Sequence, residues 1–293
     1  GVSANRVARF DPATNSWSAL GTGAQNGVSG VAVNALAIDG SGRVYVGGTF
    51  TQAGGVSANR VACFEPATNT WSPLGTGAQN GVNGQVIALA VDGSGRVYVG
   101  GFFTQAGNVS ANNVARYNPQ DSTWSALGTG AQNGVNSGVN ALAIDGSGKV
   151  YVGGNFTQAG GVSANNVARF DPATNSWSTL GTGAQNGVNG SVSALAIDGS
   201  GRVYVGGTFT QAGGVSANRV ARYNPQDSTW SALGTGAQNG VNNNVNALAV
   251  DGSGRVYLGG SFTEAGGVIS SRIARFTPAN AAATQTVSAD GLF

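Results

Sequence analysis

The chain has 293 residues, 9% of them charged, and a net charge of +2. An ordinary soluble domain carries about 25% charged residues, and this chain shows neither a basic stripe for nucleic acid nor an acidic tail. No apolar run approaches the roughly 20 residues of a membrane-spanning helix. The 50 glycines are interspersed with regularly placed Val, Leu and aromatic residues, which excludes a disordered linker.

Four short segments predict strands, and we name them by letter. Arg6–Phe10, RVARF, is strand c, and Trp17–Leu20, WSAL, is strand d after the turn DPATNS. Val33–Asp39, VNALAID, is apolar on both faces and predicts a strand between neighbouring sheets, strand a. A GSG turn joins it to Arg43–Gly48, RVYVGG, strand b, as a hairpin. No stretch shows apolar residues at helical spacing, so the chain is predicted to be all-β.

These segments return along the chain with a period of 53 residues, which is shown by the tyrosines of strand b: Tyr45, Tyr98, Tyr151, Tyr204 and Tyr257. A period of this order is typical of solenoids, propellers and arrays. Four short strands per repeat, with aromatic residues at fixed positions, predict the blades of a β-propeller. Both ends keep repeat sequence rather than distinct caps, which favours a ring. We predict one domain over residues 1–280, built of five repeats, and a C-terminal tail over residues 281–293.

The repeat also resembles a known family. VYVGG followed by an aromatic and proline-containing turn, FDPATNSW or YNPQDSTW, is similar to the kelch repeat of galactose-oxidase-type propellers over roughly residues 1–280. The resemblance implies a propeller of four-stranded antiparallel blades and implies little about activity. The b–c loop TFTQAGGVSAN is long for this family, and five repeats are fewer than is usual for it.

The strand count sets the expected closure. The sequence has five a strands, five tryptophans in d strands, and six c strands that end at Phe10, Phe64, Tyr117, Phe170, Tyr223 and Phe276. We expect five blades with strand a lining the axis, closed by N- and C-terminal strands, with the d strand around Trp17 finishing the fifth blade. One c strand is then left over. Either Val7–Phe10 or Ile273–Phe276 is expected to pair with another chain.

The charged residues give no catalytic or metal-binding pattern. An aspartate opens every a–b hairpin (Asp39, Asp92, Asp145, Asp198 and Asp251) and a cation closes it, which we interpret as turn formation. A hard cation needs several oxygens converging within about 2.5 Å, and the sequence has no histidine to activate its serines. Cys63 replaces the arginine of the other copies and is interpreted as drift. We expect no enzyme activity, no cofactor and no metal.

The loops remain as candidate binding sites. Strand direction places the b–c and d–a loops on one face, where paired amides would suit sugar hydroxyls. The pairs are Gln25 and Asn26, Gln79 and Asn80, Gln132 and Asn133, Gln185 and Asn186, and Gln238 and Asn239. In the alternative interpretation these amides satisfy backbone groups of the loops. The sequons at Asn108, Asn155 and Asn189 are compatible with glycosylation.

Three functions are compatible with these sequence features. A non-enzymatic, extracellular, self-assembling protein, forming filaments or arrays through the surplus strand, explains the low charge and the extra strand together. A glycan- or protein-binding propeller, acting as a lectin or in adhesion, explains the repeated polar face. A designed consensus propeller explains the repeat identity, but the alternation of FDPATNS and YNPQDST is typical of natural duplication.

Partners and location follow from these functions. The expected partners are copies of the chain and a glycan or cell-surface molecule, with no nucleic acid and no membrane span, and the expected location is extracellular or at the cell surface. The chain begins within a repeat and lacks methionine, so we expect a processed product, consistent with a removed signal peptide.

Overall fold

The computed structural model describes residues 2–278 and 286–288. These residues form strands and five short 3-10 turns. Contacts divide the chain into two compact units, Gly1–Val139 and Asn140–Phe293. Within the described part of the chain, no helix has the length and apolar character that a membrane span requires.

All four predicted strand types are present. The c strands are Ala8–Asp11, Val61–Glu65, Val114–Asn118, Val167–Asp171, Val220–Asn224 and Ile273–Thr277. The d strands are Ser16–Ala19, Thr70–Pro73, Thr123–Ala126, Ser176–Thr179, Thr229–Ala232 and Thr286–Ser288. The a strands are Val33–Ile38, Gln85–Val91, Val139–Ile144, Val192–Ile197 and Val245–Val250. The b strands are Val44–Gly48, Val97–Phe102, Val150–Gly154, Val203–Gly207 and Val256–Gly260.

The strands assemble into antiparallel sheets in the order a-b-c-d. The first unit contains two four-stranded sheets, over residues 33–73 and 85–126, and the second unit contains three, over residues 139–179, 192–232 and 245–288. In the first sheet, Tyr45 of strand b pairs with Ala37 on one side and with Cys63 on the other. The prediction of four-stranded antiparallel sheets is therefore confirmed.

The long b–c loop contains a small hairpin that was not predicted. Its short strands are Gln52–Ala53 with Val56–Ser57, Gln105–Ala106 with Val109–Ser110, Gln158–Ala159 with Val162–Ser163, Gln211–Ala212 with Val215–Ser216, and Glu264–Ala265 with Val268–Ile269. In the first copy Gly54 and Gly55 form the turn at φ +55° and +80°. Two central residues with positive φ are typical of two-residue hairpin loops and favour glycine.

The d–a loop contains a single 3-10 turn in each repeat, at Gly23–Gln25, Gly77–Gln79, Gly130–Gln132, Gly183–Gln185 and Gly236–Gln238. It also meets the small hairpin through isolated bridges such as Val28 with Ala53. The two loops therefore lie together, as strand direction predicted.

The last sheet does not contain the strand that was expected to complete it, and closure stays a prediction. Its fourth strand is Thr286–Ser288, which pairs with Ile273–Thr277 and places Val287 opposite Phe276. The strand Ser16–Ala19, expected to complete this sheet, forms a separate two-stranded sheet with Ala8–Asp11. The physical reason is proximity along the chain, since a short loop closes at little entropic cost. The predicted tail 281–293 therefore supplies a strand at 286–288, and its other residues lie outside the described residues.

Neighbouring sheets within a unit pack through a glycine of strand b. A Cβ atom on Gly47 would lie 2.5 Å from Val86 Cγ1 and 3.3 Å from Leu89 Cδ1 of the next sheet. The same relation recurs at Gly153 with Val192 and at Gly206 with Val245. The a strand of the next sheet therefore lies directly on this glycine, and a side chain here would collide with it.

Candidate functional site

The charged side chains are concentrated at the a–b turn. Asp39 accepts hydrogen bonds from the Arg43 backbone N–H at 3.0 Å and from Arg43 Nε at 2.7 Å, and its other partners include the Tyr45 hydroxyl at 3.3 Å. Burial raises the pKa of Asp39, but hydrogen bonds from Ser41 and Arg43 outweigh it and hold the pKa below its usual value. The same backbone bonding recurs at Asp92, Asp145, Asp198 and Asp251.

These carboxylates hold turns and do not converge on an ion. Among the residues that the structure describes, no group of three or more potential metal ligands is present. The expectation that no metal site exists stays a prediction.

Cys63 lies opposite Tyr45, where the other repeats carry arginine. At the equivalent position Arg116 donates from Nε to Ser125 Oγ at 3.1 Å. Burial raises the pKa of the Cys63 thiol to about 11. A catalytic thiol needs the opposite shift, because the thiolate is the nucleophile. The geometry therefore fits a buried, structural cysteine.

The asparagines of the predicted amide set are used inside the loops. Asn26 is buried, and its Oδ1 accepts the backbone N–H of Asn5 at 3.0 Å. Its Nδ2 donates to the carbonyl of Gly23 at 2.8 Å and of Ser3 at 3.2 Å. The equivalents Asn80, Asn133, Asn186 and Asn239 are also buried, and each accepts a backbone N–H. These asparagines tie the d–a loop to the preceding b–c loop, and the role of the set in ligand binding stays a prediction.

The glutamines of the set are exposed and line clefts between the two loops. Gln25 lies over the glycine turn of the next hairpin, and with Asn5, Arg6 and Gln52 it borders a cleft of about 210 Å³. Equivalent clefts of about 200 and 260 Å³ lie beside Gln79 and Gln238. Typical small-molecule pockets measure about 300–1,000 Å³, so each cleft has room for a small polar group. The remaining exposed glutamines of the set are Gln132 and Gln185.

The tryptophans of strand d occupy a recurring socket. Trp71 Nε1 donates to the carbonyl of Leu20 at 2.9 Å, and a Cβ on Gly21 would lie 3.1 Å from that nitrogen. The same Leu–Gly socket holds Trp124 at Leu74 and Gly75, and Trp230 at Leu180 and Gly181. Each socket belongs to the end of the preceding d strand, so the tryptophan links consecutive repeats.

Trp17 lies outside this pattern. It keeps the tilted ring contact that every c–d hairpin with a tryptophan makes, at 5.1 Å between the centroids of Phe10 and Trp17. However, Trp17 is 60% exposed, whereas the other tryptophans are buried. The N-terminal hairpin is therefore formed like the others but has lost the surroundings of a complete blade.

At the other end, the socket of Leu233 and Gly234 holds no tryptophan, because the sequence has none after Trp230. Gly234 has φ +96°, as in the filled sockets, and the nearest atoms to a Cβ there belong to the loop of residues 239–240. Leu233 is buried, as are its equivalents in the filled sockets. This socket therefore differs from the filled ones by the missing indole.

The first sheet has one uncovered strand. Leu36 and Ile38 of its a strand are 54% and 67% exposed. Val7 and Leu20 of the N-terminal hairpin form a buried cluster with Val46 of strand b and Trp71 of strand d. The hairpin therefore covers strands b, c and d on this face and leaves strand a open.

The last sheet is open on its opposite face. A Cβ on Gly259 would meet only the Cβ of Ala247, at 3.7 Å. Ile273 is 55% exposed, although its equivalents Val61, Val114, Val167 and Val220 are fully buried. The predicted assembly residues therefore divide into two groups: Val7 and Phe276 are buried, and Phe10 and Ile273 are exposed.

Comparison with protein families identifies the fold. The model described as "Domain of unknown function (DUF5122) beta-propeller" matches residues 40–67, 93–123, 199–229 and 252–280. The model of the Rax2 C-terminal beta propeller domain matches residues 130–198. No curated protein sequence matches the chain. Together with the sheets, these matches show a β-propeller repeat protein, and the finer kelch-like assignment stays a prediction.

Solved structures share this fold at low sequence identity. The extracellular domain of a one-component system from B. thetaiotaomicron is 16% identical, with TM-score 0.52, 78% of this chain covered and 26% of that chain. A surface component of the type-IX secretion system of Porphyromonas gingivalis is 17% identical, with TM-score 0.50 and coverages of 76% and 30%. Virginiamycin B lyase from Staphylococcus aureus is 11% identical, with TM-score 0.51 and coverages of 89% and 70%. The chain therefore spans less than a third of the first two proteins.

Proposed function

We propose that the chain is a five-bladed β-propeller that has no enzymatic activity, lies outside the cell or at its surface, and assembles with copies of itself. The observation that carries this proposal is a surplus half-blade. The described residues contain six c–d hairpins but five a–b hairpins. A c strand without a b strand has an open edge, and such an edge is a template for a strand from another chain.

Terminal strands complete the fifth blade in this proposal, with strand a towards the axis. Two c–d hairpins compete for that position: residues 8–19 at the N-terminus and residues 273–288 at the C-terminus. Whichever hairpin completes the blade, the other is left over. Assembly uses one of these two hairpins to join copies of the chain.

The proposed location and inertness have separate support. Two proteins of the same fold are an extracellular domain and a bacterial surface component. A net charge of +2 gives little repulsion between copies. The proposal of inertness rests on the aspartates, which hold turns through hydrogen bonds, and on a buried Cys63 with a raised pKa.

Light scattering and electron microscopy of the purified chain test the proposal. We expect a mass that rises above that of the monomer as concentration increases, and images of linked rings. A single monomeric mass at every concentration contradicts self-assembly. Turnover in a broad hydrolase and oxidoreductase screen, abolished by one substitution, contradicts the proposed inertness.

A second function, binding of a glycan or another polar ligand, is favoured by the recurring clefts beside the exposed glutamines. Amide side chains donate and accept hydrogen bonds, as sugar hydroxyls require. In a glycan array, Gln132→Ala should remove one of up to five equivalent sites, whereas Gln120→Ala, an exposed glutamine in a c–d turn, should bind like the wild type. An array without hits counts against this function and leaves self-assembly in place.

A further inference from the structure

We propose that the N-terminal half-blade accepts the last a–b hairpin, residues 245–260, of a second copy of the chain. The half-blade consists of the hairpin 7–20 and the exposed a strand of the first sheet, Val33–Ile38. This inference deepens the proposed self-assembly and rests on it. It identifies the two surfaces that meet and assigns Trp17 as the residue that specifies the contact.

In the described residues, strand Ala8–Asp11 has one open edge. In the complete sheets a b strand pairs with the c strand in a constant register, such as Val44 opposite Phe64. In the described residues Ala8–Asp11 pairs with its d strand alone, and Ala8, Arg9 and Phe10 are exposed. The last b strand would enter this edge in the repeat register, with Val256 opposite Phe10.

The tryptophan sockets favour the same pair of surfaces. Trp230 packs into Leu180 and Gly181, the socket that precedes its own a–b hairpin. The socket that precedes hairpin 245–260 is that of Leu233 and Gly234, and the d strand Thr286–Ser288 brings no tryptophan to it. Trp17, on a hairpin that lacks an a–b partner, supplies the missing ring.

One docking step covers the open faces of both the first and the last sheet. In the first unit Leu89 lies on Gly47, and in the second unit Leu248 lies on Gly206, with a Cβ-to-Cδ1 separation of 3.3 and 3.1 Å. Gly259 is the equivalent glycine of the last sheet, and Leu36 is the equivalent leucine of the first sheet. Docking therefore places Leu36 of one copy on Gly259 of the other.

The exchange conserves strand pairing. The incoming hairpin 7–20 replaces residues 273–288 of the second copy, so one c–d hairpin is exchanged for another. The exchange buries Trp17, Leu36 and Ile38 and displaces Ala274 and Phe276, which are buried in the single chain. Because two different surfaces meet, the contact is heterologous, and copies add head to tail.

Two variants separate the surfaces. Gly259→Val blocks the last a–b hairpin, because a side chain there has open space in the single chain but collides with an incoming a strand. Leu36→Glu combined with Ile38→Glu blocks the half-blade, and both side chains are exposed in the single chain. Gly93→Val is the matched control, since nothing lies within 4 Å of a Cβ at that turn.

The experiment measures the mass of each variant alone and of a 1:1 mixture by light scattering. We expect each blocked variant to be monomeric, the control to assemble like the wild type, and the mixture to reach twice the monomer mass and no more. Acrylamide quenching of the exposed Trp17 should fall on mixing.

The measurements distinguish a failure of this inference from a failure of the proposed self-assembly. If the wild type assembles but the mixture stays monomeric, self-assembly uses another surface and this inference is wrong. If the wild type is monomeric and Trp17 is open to quencher, the proposed function fails as well. If the wild type is monomeric and Trp17 is protected from quencher, the assignment to a second copy is overturned.

Discussion

Tryptophans of nearly identical sequence context have two different environments in this chain. Trp71, Trp124, Trp177 and Trp230 are buried, and Trp17 is mostly exposed. The difference arises from the repeat that precedes each tryptophan, because the socket belongs to that repeat. The contribution of a residue to stability therefore depends on the repeat in which it lies.

Trp124→Ala and Trp17→Ala form a matched pair for this claim. Removing a buried tryptophan costs about 3–5 kcal/mol of unfolding free energy, whereas a substitution at an exposed position usually changes it by less than about 0.5–1 kcal/mol. Urea unfolding at low concentration, where the chain is monomeric, measures both. Equal losses would show that Trp17 is already packed in the monomer.

The loop asparagines give a second test at this scale. Asn80→Ala leaves the backbone N–H of Asn59 without its acceptor and should cost about 1–3 kcal/mol. Gln79→Ala, at the exposed neighbour, should change the unfolding free energy by less than about 0.5 kcal/mol. Thermal and urea unfolding of both variants check this order, and a reversed order would assign the structural role to the glutamine.

The buried tyrosines predict an alkaline limit to stability. Burial raises the pKa of Tyr45, Tyr98 and Tyr204 above 10, and that of Tyr151 to about 12. In the unfolded chain these phenols ionise near 10, so the unfolded state releases protons first. The contribution of these tyrosines to stability should be fully present below about pH 10 and fall as pH rises towards 12. The Cys63 thiol, raised from 9.0 to about 11, adds a loss that begins near pH 9.

Tyr151→Phe tests the tyrosine contribution. The variant removes one of the shifted phenols, so its unfolding free energy should decline less steeply than that of the wild type above about pH 10. Both are measured by urea unfolding across an alkaline pH series. Identical slopes would mean that Tyr151 ionises at the same pH in the folded and unfolded chains.

Most strands were predicted from the sequence, and those that were missed have physical reasons. The a, b, c and d strands were predicted within two residues of their ends, because apolar residues and turn residues recur together. The hairpin Gln52–Ser57 was missed, since its strands have two residues each, although the Gly54–Gly55 pair is a hairpin signal. The last d strand, Thr286–Ser288, carries no tryptophan to mark it. The orientation of Asn26 was left open because an amide satisfies backbone and ligand equally well.

The glycines of strand b should differ in how much a valine substitution lowers the unfolding free energy. Gly47→Val should destabilise the fold by about 1–3 kcal/mol, because the new side chain overlaps the packed a strand of the next sheet. Gly259→Val should change the unfolding free energy of the monomer by less than about 0.5 kcal/mol. Comparison of their urea midpoints checks this, and a large loss at Gly259 would show that its face is already covered.

For the whole molecule, the decisive feature is an unequal number of half-blades. The six c strands predicted from the sequence are present, but the surplus element is a complete c–d hairpin, because Thr286–Ser288 pairs with the last c strand. The low net charge and the two open sheet faces fit this surplus in the proposed assembly.

The most direct test of the account is a cryo-electron microscopy structure of the assembled wild-type protein. The account predicts five four-stranded blades per chain, with Trp17 of one copy packed against Leu233 and Gly234 of the next and Leu36 lying on Gly259. A structure with six blades, or with linked copies whose N-terminal hairpins face solvent, would contradict it.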